Sequence, residues 1–75
     1  MQRVSVTITD DLRYFVNDKR SSISQLEQDL RAELNGSEGV VVLHIDKSVP
    51  VERLVHVAGI ATSLNAKVTI ATKPE

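Results

Sequence analysis

The sequence predicts an α/β (α+β) domain, ordered β-β-α-β-α-β, whose mixed sheet carries two helices packed on one face. Three observations point there. Residues 4–9 and 67–72 alternate apolar and polar side chains and are rich in β-branched types, the pattern of strands with one face on a core. Residues 40–45 are apolar throughout except at His44, as befits a strand that is buried on both faces or central in the sheet. Between these strands, apolar residues recur at helical spacing.

The elements follow in order. Residues 4–9 make the first strand, Asp10-Asp11 the turn, and Arg13-Tyr14-Phe15-Val16 the return strand, which ends at Asn17-Asp18. Ser22 or Ser24 caps the first helix, with Gln25 or Glu27 three residues on to complete a capping box. Ile23, Leu26, Leu30 and Leu34 form its apolar stripe, and Asn35-Gly36 stops it. After the strand at 40–45, Asp46-Lys47-Ser48-Val49-Pro50 is a loop, with Pro50 suited to a helix's opening turn. The second helix spans 51–64. Leu54, Val57, Ala58, Ala61 and Leu64 share one arc, Glu52, His56, Gly59 and Ser63 lie opposite, and Val55 and Ile60 flank the polar side, partly exposed. The strand at 67–72 returns parallel to its predecessor through a right-handed crossover. The expected core includes Ile23, Leu26, Leu30, Leu43, Leu54, Val57, Ala58 and Val68.

Composition narrows the function. Seventy-five residues make one domain, and chains of this size bury only roughly 60% of their unfolded surface, which favours self-association. Without cysteine there is neither a disulfide framework nor a thiolate metal site. A net charge of −1, from nine basic and ten acidic residues, argues against a nucleic-acid or anionic-membrane binder. No apolar run approaches the ~20 residues of a membrane span.

The chemistry-bearing residues are few. Asp10 and Asp11 sit in a turn, where aspartate bonds its own backbone. Asp46 stands at the C-terminal edge of a parallel βα unit, where open sheets place ligands, although aspartate there often ties down its loop. Glu52 completes the carboxylates available for acid–base work. His44 and His56 fit no zinc spacing and lack further ligands. There is no nucleophile elbow, and Gly36 and Gly39 form no phosphate loop. The expectation is a domain with no catalytic residue, cofactor or metal.

Leu43-His44-Ile45-Asp46-Lys47-Ser48-Val49-Pro50-Val51-Glu52, then a helix, then Lys67-Val68-Thr69-Ile70-Ala71-Thr72, is similar to the C-terminal domain of ExbD and TolR proteins. There a buried strand ends in an Asp-Lys-x-Val-Pro-like loop, and a helix leads to a short strand ending near threonine. The Val-x-Val-x-Ile strand, Phe15-Val16-Asn17 and the helix of Leu26 and Leu30 also fit, so the resemblance runs from about Val4 to Thr72. Asp46 before Lys47 favours the ExbD branch, since TolR-like sequences carry small residues there. The chain departs from the pattern at Val51, often tyrosine in the family, and before the last strand, where Leu64-Asn65-Ala66 replaces the family's frequent Ala-Gly pair.

The resemblance implies the periplasmic domain, residues 1–75, of a subunit anchored in the bacterial inner membrane. Its membrane helix, with a proton-carrying aspartate, lies outside this chain. Such a subunit works with a channel-forming ExbB-like partner and uses the proton motive force to energise outer-membrane transport through a TonB-like protein. It implies a homodimer and, on the TolR side of the family, peptidoglycan contact, but no nucleic acid. Partner contacts are expected at Asp46, Lys47, Val49, Pro50, Glu52, Val68, Ile70 and Thr72, by strand addition to the last strand, which ends near Pro74. Lys67 and Lys73 could instead protect that edge. Two other readings stand beside this one: a TolR-like cell-wall-binding domain, and a cytosolic ligand-sensing regulatory module, because strand–helix–strand units serve many functions.

Overall fold

The computed structural model describes residues 2–35 and 38–72. Its elements are β1 (Gln2–Ile8), β2 (Tyr14–Val16), β3 (Lys19–Ser21), α1 (Leu26–Leu34), β4 (Gly39–Ile45), α2 (Val51–Ser63) and β5 (Lys67–Thr72). The strands form one mixed sheet in the order β3-β2-β1-β4-β5. β1, β4 and β5 run parallel, while β2 and β3 fold back as antiparallel hairpins on the other side of β1. The predicted succession holds, with the short strand β3 added after the hairpin.

β3 is Lys-Arg-Ser, so no apolar alternation marks it. What makes it is the turn before it. Asn17 and Asp18 both take left-handed backbone angles, φ 49° and 68°, the geometry that lets a two-residue loop match strand twist. Asn17 also joins three elements. Its backbone N–H donates to the Ser5 carbonyl at 2.8 Å. Its side-chain oxygen accepts the Ser5 N–H at 2.9 Å, and its amide donates to Glu33 Oε1 on α1 at 2.6 Å.

Residues paired across strands share a face of the sheet. Val4, Val6 and Ile8 therefore line up with Val41, Leu43 and Ile45 on one side, and with Val16 and Tyr14 on the other, and all are buried. Leu26, Leu30 and Leu34 of α1 and Val57 and Ala61 of α2 pack on this row, so both helices cover the same face. Leu54, Ala58 and Val68, expected within the core, are half-buried at its margin.

The other face carries Ser5, Thr7, Phe15, His44 and Thr69 and has no layer over it among the described residues. Of the two alternatives expected for β4, the central position is the one found, between β1 and β5; on this face Val42 is buried, Val40 half-buried and His44 exposed. Val42 stays covered because Ser5 and Thr69 flank it across the sheet.

α1 begins later than the capping boxes predicted. Its N-cap is Gln25, with no side-chain cap bond. Ser22 Oγ instead accepts the Gln25 N–H at 3.2 Å, closing a turn before the helix. Ile23 lies in that turn and is 40% exposed, which corrects its placement in the core. Asn35, at φ 50°, ends α1 in the left-handed conformation; the Gly36 half of the predicted stop is outside the described residues. Gly39 then brings β4 close under the helix end. A Cβ there would lie 2.6 Å from Leu34 Cδ2 and 2.9 Å from the Gln2 carbonyl oxygen. Pro50, at φ −60°, is the N-cap of α2.

Leu30→Ala, at a fully buried position, should lower the unfolding free energy by about 2–5 kcal/mol. Ile23→Ala should change it by less than about 0.5 kcal/mol. Urea denaturation of both variants checks the pair, and equal losses would return Ile23 to the core.

Candidate functional site

The sheet stops at β5. Among the described residues this strand pairs only with β4, from Val40↔Lys67 to Ile45↔Thr72, so its outer edge offers unpaired backbone N–H and C=O groups. The opposite edge, β3, is three residues long and carries exposed Lys19 and Arg20. β5 is the longer and less charged of the two.

Apolar side chains stand beside it. Ile70 pairs with Leu43 and so faces the helical layer, yet it is 51% exposed. Val51 and Val55, one turn apart on α2, are 70% and 63% exposed. Arg53 lies about half a turn from both and lines a pocket with Leu12 and Tyr14, which puts the two valines on the β5 flank of the helix. The inward arc was legible in the sequence, and Val55 was expected at its margin. Ile70 was named among the expected partner contacts, and it and Val51 stand open on the flank of α2 that faces the free edge.

The loop entering α2 is held by Asp46. Its Oδ1 accepts the Ser48 N–H at 2.9 Å and the Ser48 hydroxyl at 2.7 Å. Its carbonyl accepts the Val49 N–H at 3.0 Å, and its own N–H reaches the Ile8 carbonyl at 3.3 Å. This is an Asx turn, in which a short carboxylate replaces the backbone acceptor. Val49 is half-buried against the core, while Lys47, Pro50 and Glu52 are exposed. Val68 is half-buried on β5, and Thr72 closes that strand opposite Ile45. The fold thus gathers the loop residues at the C-terminal end of β4, next to the end of β5. Pro74 and Lys73 are outside the described residues.

The remaining candidates do not assemble a reacting centre. Asp11 accepts the Thr9 hydroxyl and pairs with Arg13, Nε to Oδ2 at 2.9 Å, across the β1–β2 turn. The Thr9 bond above all, with the Arg13 charge helping, holds its carboxyl below the ordinary value of 3.8. Asp10, His44 and Asp46 line a shallow cleft of about 260 Å³ with Thr7, Ile8 and Thr9. His56 is exposed on α2. No group of three or more His, Cys, Asp or Glu suited to a metal occurs among the described residues. No helix among them is long and apolar enough to cross a membrane.

The fold and this edge define a small α+β domain, helices on one face, that leaves its last strand open to pairing. The family model described as "Biopolymer transport protein ExbD/TolR" matches residues 1–75, the length of the chain, and the chain belongs to the ExbD/TolR family. Members are energy-transducing subunits of biopolymer transport, anchored in the inner membrane with periplasmic domains, and they work with ExbB-like and TonB-like partners. A comparison with curated proteins finds no match.

Asp46→Ala should cost about 1–2 kcal/mol in urea denaturation, since two hydrogen bonds to a carboxylate are lost at a half-buried loop. A cost near zero would mean the Asx turn does not hold the loop. Asp11 should titrate below its ordinary value by carboxyl-resolved NMR, and Thr9→Val should raise its midpoint. A carboxyl with a depressed folded pKa favours the fold above its unfolded pKa and loses that contribution as pH falls through the folded value. An unchanged midpoint in Thr9→Val would remove the hydroxyl as the cause.

Proposed function

We propose that this domain is the periplasmic part of an ExbD-type subunit and that it takes up an extended segment of a TonB-like partner as an added strand on β5. The observation that carries the reading is the open β5 edge with Ile70, Val51 and Val55 beside it. Backbone hydrogen bonds along the edge supply affinity. Apolar side chains on alternate positions of the incoming strand cover Ile70 and the α2 valines, which supplies register. Asp46 before Lys47 supports the ExbD branch, and Glu52, exposed on the first turn of α2, offers charge to a basic partner residue. Asp46 contributes by shaping the loop. In the full complex, the membrane helix outside this chain engages the ExbB-like channel, and proton flow there becomes motion that the periplasmic domain hands to its partner.

A second copy of the chain could occupy the same edge, and one experiment separates the two. Amide shifts are followed on titrating a partner-derived extended peptide, alongside sedimentation of the domain alone. The expected result is perturbation along residues 67–72 with slowed amide exchange, from a domain that is monomeric or weakly dimeric. Perturbations confined to residues 4–16 would overturn the assignment. A tight dimer whose β5 amides are already protected before peptide is added would give the edge to the second copy.

A further inference from the structure

The uncovered face of the sheet is arranged like an interface. Strand pairing sets its middle in two rows, Phe15-Thr7-His44-Ala71 and Ser5-Val42-Thr69. These rows hold no Asp, Glu, Lys or Arg. Arg20 extends the first of them at the β3 margin, where it lines a groove with Asp29 and Glu33. Phe15, Val40 and Ala71 are half-buried on this face although no helix covers them. A centre depleted of charge inside a polar rim is what sets the core of an interface apart from ordinary surface.

The charged residues lie at the two ends of the face and differ in sign. Where the parallel strands begin, Arg3 and Lys67 flank Val40, and Glu38 precedes the same strand. Where they finish, Asp10 follows β1 and lines a cleft with Thr7 and His44. Asp46 stands at that end too, holding its loop through Ser48, with Lys47 next to it. Arg3, Lys67 and Asp10 are exposed, and none of them is in an ion pair among the described residues. Arg3 and Asp10 bracket β1, separated by roughly 23 Å of extended chain.

We propose that this face receives the same face of a second copy of the chain, related by a two-fold axis that runs between the two sheets and across their strands. That axis turns the strands antiparallel. The basic end of each sheet then meets the acidic end of the other, with Arg3 of one protomer over the partner's Asp10 and the reciprocal pair at the far end. A two-fold along the strands would instead set Arg3 against the partner's Arg3, so charge selects the first arrangement. The uncharged rows meet between the ion pairs, at the ~10 Å spacing of packed sheets. Five strands of this length present about 500 Å² of each copy, the low end for a specific interface, so the dimer is weak and concentration-dependent. The outer edge of β5 stays free in it, and strand addition there stands or falls separately.

The test exchanges the two charges. Sedimentation of the chain is followed from micromolar to millimolar concentration at about pH 8, where histidine is neutral. Arg3→Glu and Asp10→Arg, each alone, place like charges at both ends of the dimer and should weaken self-association about tenfold. An equimolar mixture of the two variants should recover the original association, because each mixed pair has opposite charges at both ends again. That recovery also shows that both variants fold. On dilution of the unaltered chain, amide shifts should move at residues 5, 7, 15, 42, 44 and 69, while the outward amides of β5 keep their exchange rates. Monomer up to millimolar concentration would overturn the proposal and leave the face to a partner of another kind. So would a mixture that associates no better than its components. A dimer indifferent to both substitutions, with protected β5 amides, would overturn it by placing the second copy on the edge.

Discussion

The parallel pairing of β1 with β4 is the interaction on which the rest of the molecule depends. It joins residues 2–8 to residues 39–45 in seven register pairs, across a connection that contains two hairpin strands and a helix. Closing that connection costs chain entropy. The return is a double row of buried side chains, Val4, Val6 and Ile8 beside Val41, Leu43 and Ile45, that no local hairpin could assemble. Each neighbouring feature hangs on this pair. α1 spans the crossover between the two strands, α2 follows from β4, and β5 has no partner without β4.

That dependence explains where the sequence was informative. Period-two alternation in residues 4–9 and the leucines at 26, 30 and 34 record burial against this central row, and the structure has them there. The apolar run at 40–45 carried a weaker message. It marked a central strand correctly, but it did not distinguish a face covered by helices from one where Val42 is sheltered only by neighbouring side chains. Family resemblance and fold agree, and the family match spans the chain.

Features made by backbone geometry were harder to read. β3 has no apolar residue, and it exists because Asn17 and Asp18 adopt positive φ. Asn-Asp is a permissible hairpin pair but a less emphatic one than Asn-Gly. Ile23 continues the helical spacing of its leucines, yet Ser22 closes a turn before the helix begins, and the spacing loses its meaning there. Asp46 was open to either a structural or a recognition role, and its bonds to Ser48 show that it holds its loop.

The side-by-side attachment of β5 to β4 has a mechanical consequence. A load applied along the strand axis strains the hydrogen bonds of the whole ladder together, and the domain yields only when they fail collectively. The same load applied across the strand meets them one at a time and peels the edge open from its end. A single edge can therefore be a firm handle in one direction and a quick release in another, with no change of conformation between the two.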